Sequence, residues 1–456
     1  MTRHLLIAAV IATMAGCGTP PPAPKPPTVL DQFRFQAGWV TAPADAGPRG
    51  DAWWSRFDDA ELDRLMREAG EANGTVEQAL ARVRQAEAQW RLAGAADKPV
   101  LKATAGAERA RADGVTATVW QGSLLASWQP DLWGRVALER QAGRADLRAS
   151  EADVAAARLA ARLELARAYL RLRVLDRQRE LSEQTLAAYE RSLTLTRNQY
   201  EAGLVARSDV TQAEVQAQSV RASLHDLALQ RALYEHTIAV LAGRAPATGT
   251  LVPVTALPGV PAVPAAVPST LLVQRPDVAA ARERLEAASA RAGSARRAWL
   301  PDITISAAAG VRSSRWSDLF EAPARVWSVG PHLAATLFDA GARQATADAA
   351  DAATDEQAAA WRLSVLTAIK EVDDALAGLQ ALDAKATDQA RLVALAEENE
   401  RVVTNRYRSG LVSFLEVAVA QNLTLQSRRA ALDVTGERLD ASLRLMAALG
   451  GSWSAS

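Results

Sequence analysis

The chain has 456 residues, 52 basic and 52 acidic, with 49% apolar and 5% aromatic residues. That is ample material for a large folded protein, and the length permits two or three domains. A formal net charge of zero lacks the cationic surplus that phosphate backbones demand, so no nucleic-acid partner is expected. The abundance of Ala, Leu and Arg suits long helices packed through small side chains.

Residues 1–16 read as a secretory signal, with Arg3 as the positive charge, Leu5 to Ala12 as a mostly apolar core, and small residues before Cys17. That core is too short to span a membrane permanently. Met14-Ala15-Gly16-Cys17 resembles a bacterial lipobox, which implies cleavage before Cys17 and its lipidation. An ordinary signal with a chance cysteine is the alternative. Cys17 is the sole cysteine, so no disulfide can form within one chain. Gly18 does not supply the aspartate that favours inner-membrane retention of such lipoproteins, and several acyl chains on one cysteine anchor stably. An outer-membrane anchor is therefore expected, with Pro20 to Pro27 as an extended tether inside the N-terminal segment 17–72.

The first half, 73–245, opens on two stretches without helical periodicity, Val100 to Arg111 and Thr116 to Trp128, joined by Ala112-Asp113-Gly114. They read as a strand pair. No proline follows from Asp131 to Ala245, and Leu159, Leu163, Ala166, Leu170 and Val174 recur at helical spacing. Leu165, Leu172 and Leu186 lie off that stripe, which predicts neighbours on more than one side of the helix. A helix of about 65 residues is roughly 100 Å long. It should turn at Tyr200-Glu201-Ala202-Gly203-Leu204-Val205, where Gly203 accepts a left-handed backbone and Ser208 can help to start the returning helix. The hairpin is predicted over about 134–243.

Between the halves, 246–269 carries Pro246, Pro253, Pro258, Pro261, Pro264 and Pro268, a density incompatible with a regular helix. The second half, 270–456, repeats the pattern. Ile303, Ile305, Ala307, Ala309 and Val311 alternate with Thr304, Ser306 and Ala308, the period of a strand, and Val326 to Phe338 is its predicted partner across Ser313 to Asp318. Trp361, Val365, Ile369, Val372, Leu376 and Leu379 form a helical stripe, and a second hairpin is predicted over about 341–450. Its tip is Tyr407-Arg408-Ser409-Gly410-Leu411-Val412, with Ser413 at the start of the return.

These halves are duplicates. Both tips share the frame Tyr-x-x-Gly-Leu-Val-x-x-x-acid-Val, ending at Asp209-Val210 and Glu416-Val417. Gly134 to Tyr200 and Gly341 to Tyr407 are both 66 positions, and Gly203 to Gly243 and Gly410 to Gly450 are both 40. Upstream, Ala79, Val83, Ala86 and Pro99 correspond to Ala281, Leu285, Ala288 and Pro301.

Strands of about ten residues suit a tilted membrane crossing, and Trp120, Trp128, Trp133, Trp316 and Trp327 cluster in or beside the four of them, as interfacial aromatics do. Four strands alone would leave backbone edges unpaired in hydrocarbon, so several copies must share one barrel. Small soluble hairpins packed on the helices are the other reading of the pattern.

The lipobox, Trp53-Trp54 with Phe57 and Asp58, the paired Tyr-x-x-Gly tips, and Arg275-Pro276-Asp277-Val278 together resemble the TolC-like outer membrane factor family, in its lipoprotein branch from tripartite efflux systems. The likeness covers almost the whole mature chain. It implies a mainly α fold with a membrane β-barrel contribution: a homotrimer whose long hairpins form a periplasmic α-barrel and whose four strands per protomer form a 12-stranded barrel. The implied function is a passive outer-membrane duct exporting small toxic compounds. The implied partners are outer-membrane lipid, a periplasmic adaptor (membrane fusion protein) and an inner-membrane efflux pump, with no cofactor and no metal.

In such a duct the gate lies near the hairpin tips. Tyr407 and Asp209 resemble positions whose hydrogen bonding across the two hairpins holds the closed state. Glu416 matches an acidic gate position, where three copies would favour cations and could raise one another's pKa. Val412 stands where some members carry an arginine latch and Val419 where a second acid can occur. Whether Arg406 or Arg408 replaces the latch stays open. Asp209 and Glu416 are also plain helix-start charges favoured by the dipole. Gly203, Leu204, Gly410 and Leu411 would form the tip surface met by the adaptor, or serve simply as turn residues.

Other classes fit less well. There is no zinc-protease pair, phosphate-binding glycine loop or nucleophile elbow. Of four histidines, His4 leaves with the signal, and His225 and His236 sit about 16 Å apart along one helix. A periplasmic coiled-coil scaffold explains the helices but not the duplicated strand pairs. A type I protein secretion duct is the alternative within the channel class.

Overall fold

The computed structural model describes residues 39–40, 52–112, 114–246, 251–261, 267–268 and 275–451. The signal, Cys17 and the Pro20–Pro27 tether lie outside them. In chain order the elements are β1 (Trp39–Val40), a 3-10 turn (Trp53–Phe57), α1 (Ala60–Ala72), α2 (Gly74–Ala95), β2 (Val100–Ala112), β3 (Val115–Trp128), α3 (Arg135–Glu201) and α4 (Arg207–Leu241). They are followed by β4 (Val267–Pro268), α5 (Pro276–Arg296), β5 (Asp302–Ser313), β6 (Arg325–Ala334), α6 (Ala342–Arg408) and α7 (Phe414–Ala448). The duplication is visible in the lengths: α3 and α6 have 67 residues each, α4 and α7 have 35 each. Among the described residues no helix is long and apolar enough to cross a membrane.

The chain divides into two compact units. One comprises residues 81–152 and 279–364 of the described chain and holds a four-stranded antiparallel sheet in the order β2-β3-β5-β6. Its register sorts the side chains into two unlike faces, because neighbours along a strand point to opposite sides. Leu101, Ala103, Ala105 and Ala107 pair with Ala126, Leu124, Gly122 and Trp120. Ala126, Leu124 and Gly122 pair in turn with Ala307, Ala309 and Val311, and Ile303, Ile305, Ala307 and Ala309 with Leu333, Pro331, Val329 and Trp327. At these positions that face is apolar on all four strands, and toward the turn end it carries Arg109, Arg111, Thr116, Thr118, Ser313 and Arg325. The opposite face carries Lys102, Thr104, Glu108, Gln121, Ser123, Ser306, Arg312, Ser328 and His332, with Thr104 and Ser123 hydroxyls 2.8 Å apart. β2 and β6 are the two edges, each paired on one side only among the described residues.

Two expectations about the second strand pair are corrected. β6 stops at Ala334 rather than Phe338, because β5 begins at Asp302, directly opposite Ala334, and offers no partner beyond it. Leu337 and Phe338 are 94% and 86% exposed. The chain turns instead at Asp339, whose carboxylate accepts from the Gly341 and Arg343 N–H groups. The connection between β5 and β6 is also longer than Ser313–Asp318 and folds into two 3-10 turns, Trp316–Asp318 and Ala322–Ala324. Within this unit, small residues let α3 approach its neighbours: a Cβ at Gly143 would lie 3.4 Å from the Trp90 backbone, and Leu138, Ala142 and Ala290 form a buried cluster. The joins from sheet to helix are pinned by Trp133 Nε1 donating to Pro301 O at 2.7 Å and Arg297 donating to Gly134 O at 3.0 Å.

The second unit comprises the described residues within 33–80, 153–278 and 365–456. Trp53, Trp54 and Phe57 are buried, the two indoles meeting edge to face at 5.6 Å, and Arg162 lies over Trp54. Asp59 starts α1 by accepting from Glu61 N and Leu62 N, and it also accepts from Tyr169 OH on α3 at 2.9 Å. Behind it Leu62, Leu65, Met66 and Ala69 are fully buried. The stripe residues Ala166, Leu170 and Val174 are buried, and so are the off-stripe Leu165 and Leu172, as a helix with neighbours on several sides requires. Residues 251–261 form no helix and are strapped down by buried charges. Asp176 holds Arg231 at 2.6 Å and accepts from Val254 N, while Arg231 donates to Leu251 O and Arg173 to Ala256 O.

The Arg275-Pro276-Asp277-Val278 motif acquires a physical role here. Asn73 and Arg275 are equivalent in the duplication, 202 positions apart like Ala79 and Ala281. Each closes the end of its return helix: Asn73 Nδ2 donates to Leu241 O at 2.8 Å, and Arg275 Nη1 donates to Ala448 O at 3.0 Å. These terminal carbonyls have no intrahelical partner and must find another. Arg275 is held in turn by Asp277 at 2.8 Å and Glu371 at 2.7 Å.

Candidate functional site

Both hairpin tips fold by the same mechanism. Gly203 and Gly410 have φ of 72° and 71°, the left-handed backbone that a Cβ penalises. The Gly203 N–H bonds Tyr200 O and the Leu204 N–H bonds Gln199 O; Gly410 and Leu411 do the same to Tyr407 O and Arg406 O. This crossed pair of bonds is the Schellman closure. It recurs where the return helices end, at Gly243 and Gly450, which accounts for the equal spacings in the sequence. The returning helices begin at Ala206 and Ser413, neither with a side-chain cap. Ser208 is therefore not a cap but lies two residues inside α4, because both tips turn over the same number of residues. Asp209 and Glu416 occupy the same place in the first turn, where the helix dipole favours an acid.

What packs beneath the tips differs between the halves. Phe414, equivalent to Arg207, is 1% exposed and forms a cluster with Ala213, Val403, Val417, Ala418 and Ala420, on which Leu193, Tyr407 and Val412 rest. The Tyr407 ring meets Phe414 edge to face at 5.6 Å, and its hydroxyl donates to Gln199 Oε1 on α3 at 2.8 Å. Burial pushes the Tyr407 phenol above its ordinary value, the Thr196 hydroxyl opposes this, and the Asp209 carboxylate adds to the rise. The structure thus brings Tyr407 and Asp209 into one electrostatic neighbourhood, but the hydrogen bond across the hairpins goes to Gln199. The duplicate Tyr200 is 40% exposed, with Arg207 over its ring.

The remaining candidates are at the surface. Glu416 is exposed on α7 between Leu415 at 57% and Val419 at 61%. Leu204 and Leu411 are 74% and 70% exposed, and a Cβ at Gly203 or Gly410 would meet nothing within 4 Å. Val412 is half-buried on the cluster, whereas Arg406 and Arg408 are in the last turn of α6. Gln199, Thr196 and Phe414 were missed by sequence reasoning. A signal existed for one of them, since Phe414 breaks the match of the two tips by replacing a charged residue with an aromatic one. Among the described residues no group of three or more His, Cys, Asp or Glu is arranged to hold a metal ion.

The chain is similar along its whole length to known outer-membrane proteins. It is 30% identical to the pyoverdine export outer membrane protein OpmQ of Pseudomonas putida, covering 100% of this chain and 98% of that protein. It is 28% identical to the cation efflux system protein CusC of Escherichia coli, covering 98% of each. Among solved structures, the open state of the Neisseria gonorrhoeae MtrE outer membrane channel superposes with a TM-score of 0.83 at 26% identity, covering 96% of this chain and 98% of that one. The model of the family described as outer membrane efflux protein matches residues 65–244 and 267–451, one match to each half of the duplication. With its two-faced antiparallel sheet, its paired 67-residue helices and these likenesses, the chain belongs to the outer membrane efflux protein family and is an efflux duct of the outer membrane reaching into the periplasm.

Proposed function

We propose that three copies of this chain close their sheets into one 12-stranded barrel and their hairpins into a periplasmic tunnel, forming the outer-membrane component of a tripartite efflux system. The carrying observation is the sheet: one face mainly apolar over four strands, the other mainly polar, and, among the described residues, β2 and β6 each paired on one side only. In hydrocarbon such edges are tolerated only when joined to other edges, and an apolar outside with a polar inside suits a water-filled barrel. Cys17, as the lipidated first residue, adds an anchor. The tips, with Gly203, Leu204, Gly410 and Leu411 exposed, meet the periplasmic adaptor, and an inner-membrane pump supplies the cargo. Tyr407, Asp209 and Glu416 form the gate.

Similar chains are named for pyoverdine export and for cation efflux, which suits a passive duct whose cargo is chosen by its pump. Small toxic compounds are the cargo proposed here. Outer-membrane fractions should contain a heat-modifiable trimer that conducts in planar bilayers, and deletion in a host lacking a redundant duct should sensitise cells to hydrophobic toxicants. A monomer that never inserts, or unchanged killing across a broad panel, would overturn the reading.

A further inference from the structure

The β2–β3 connection, at Gly114, and the β5–β6 connection, at 314–324, lie at the same end of the sheet, because Trp120 pairs with Ser313 and Trp128 with Ile305. The opposite end leads into the helices. In a duct whose helices are periplasmic, the turn end therefore faces the cell exterior. On the apolar face, Trp128 marks the helix end and Trp120 the turn end, eight residues apart along β3, or about 26 Å of strand. Trp316 folds back onto Trp120 with ring centres 5.0 Å apart, and Trp327 stands 78% exposed on the same face. These are the positions of an outer aromatic girdle.

On the same face the register places three arginines toward the turn end: Arg109 and Arg111 past Trp120 at the β2 edge, and Arg325 two residues past Trp327 at the β6 edge, in the row of Gly122. Arg109 and Arg111 pair with Thr118 and Thr116, and Arg325 pairs with Val311. All three are exposed. The arginines of the helices are mostly engaged with carboxylates, as in Arg148–Glu283, Arg167–Asp440 and Arg197–Glu214. Among the described residues, by contrast, none of these three pairs with one, and no strand position on this face carries a carboxylate. Cations at both edges of a lipid-facing surface, with no carboxylate partner among the described residues, match the anionic head groups of a lipid. Guanidinium groups match phosphate through paired N–H donors.

We infer that Arg109, Arg111 and Arg325 form a binding belt for the phosphorylated glycolipid of the outer leaflet, its phosphates on the guanidinium groups and its acyl chains along Trp120, Trp327 and Val329. The inference rests on the apolar face being the lipid face. Each arginine near an anionic head group contributes roughly fivefold in affinity, so three contribute on the order of 100-fold.

Native mass spectrometry of the detergent-purified full-length assembly, titrated with diphosphoryl lipid A, tests this. Arg109→Gln/Arg111→Gln/Arg325→Gln should bind on the order of 100-fold more weakly, whereas Arg312→Gln, on the polar face, should bind as the wild type does. An affinity of the triple variant within threefold of wild type overturns the belt, as does an equal loss in Arg312→Gln. Should the triple variant fail to assemble, the wild type decides. Lipid A stripped of its phosphates must bind at least tenfold more weakly, and millimolar inorganic pyrophosphate must not displace diphosphoryl lipid A. Displacement would identify a free-phosphate site and refute the proposal. Quenching of tryptophan fluorescence by brominated lipid separates the two readings: its absence removes the lipid face, while quenching with unchanged lipid A affinity removes only the belt.

Discussion

Tyr407→Phe removes one oxygen from the tip and leaves the rest of its packing. The edge-to-face contact with Phe414 at 5.6 Å survives, while the 2.8 Å bond to Gln199 does not. A hydrogen bond of this kind contributes about 1 kcal/mol net. If the tips of three subunits must part together for the duct to open, the loss is about 3 kcal/mol per opening, which favours the open state on the order of 100-fold. Single-channel recording in planar bilayers reads this as a rise in open probability at constant voltage. Tyr200→Phe is the matched control, since that ring is 40% exposed beneath Arg207 in the duplicate tip, and its open probability should stay at the wild-type value. Equal open probabilities for the two variants would refute a latch at Tyr407. Gln199→Ala should reproduce the effect from the accepting side, and a silent Gln199→Ala would show that the phenol acts elsewhere.

Other perturbations probe the same molecule at different points. Glu416→Gln removes one exposed carboxylate per subunit near the proposed pore; cation preference should fall, and an unchanged reversal potential under a salt gradient would take Glu416 out of the gate. Gly243→Ala should be far more damaging than Gly203→Ala although their φ values are 71° and 72°. The new Cβ would lie 2.2 Å from Ala72 O at the first site and meet nothing within 4 Å at the second. Thermal melting of the purified assembly should show about 1 kcal/mol lost at Gly203 and failure to assemble at Gly243, and equal melting points would contradict the packing. Burial pushes the Tyr189 phenol up to about 12, with Glu400 adding to the rise and Arg429 opposing it. A phenol whose folded pKa is raised stabilises the fold fully below its unfolded value of about 10 and loses that contribution as pH rises through the folded one. Stability should therefore decline between about pH 10 and 12, and in Tyr189→Phe this part of the decline should be absent.

Much of the architecture was legible from local chemistry. Glycine is the one residue that ends a helix in a left-handed conformation at little cost, so the equal spacing of Gly134, Gly203 and Gly243 with Gly341, Gly410 and Gly450 marked two hairpins of equal length. Alternation in Ile303 to Val311 likewise announced a strand. The end of β6 was not legible, because Leu337 and Phe338 suit a strand as well as Leu333 does, and only the absence of a partner beyond Asp302 stops the ladder. The candidate site divides in the same way. The tips follow from their own sequence, whereas the partner of Tyr407 does not, since Gln199 is 208 residues away and nothing local selects it over Asp209.

The chain's own order of residues determined what is set by neighbours along it: helix lengths, turning points, strand periods and the duplication. Tertiary structure alone decided which polar group meets which. It set Gln199 against Tyr407, Asn73 and Arg275 against the ends of α4 and α7, and three arginines on one side of a sheet. These pairings join residues remote in sequence, and the free energy that selects them comes from desolvation and geometry that exist only once the helices and strands have packed.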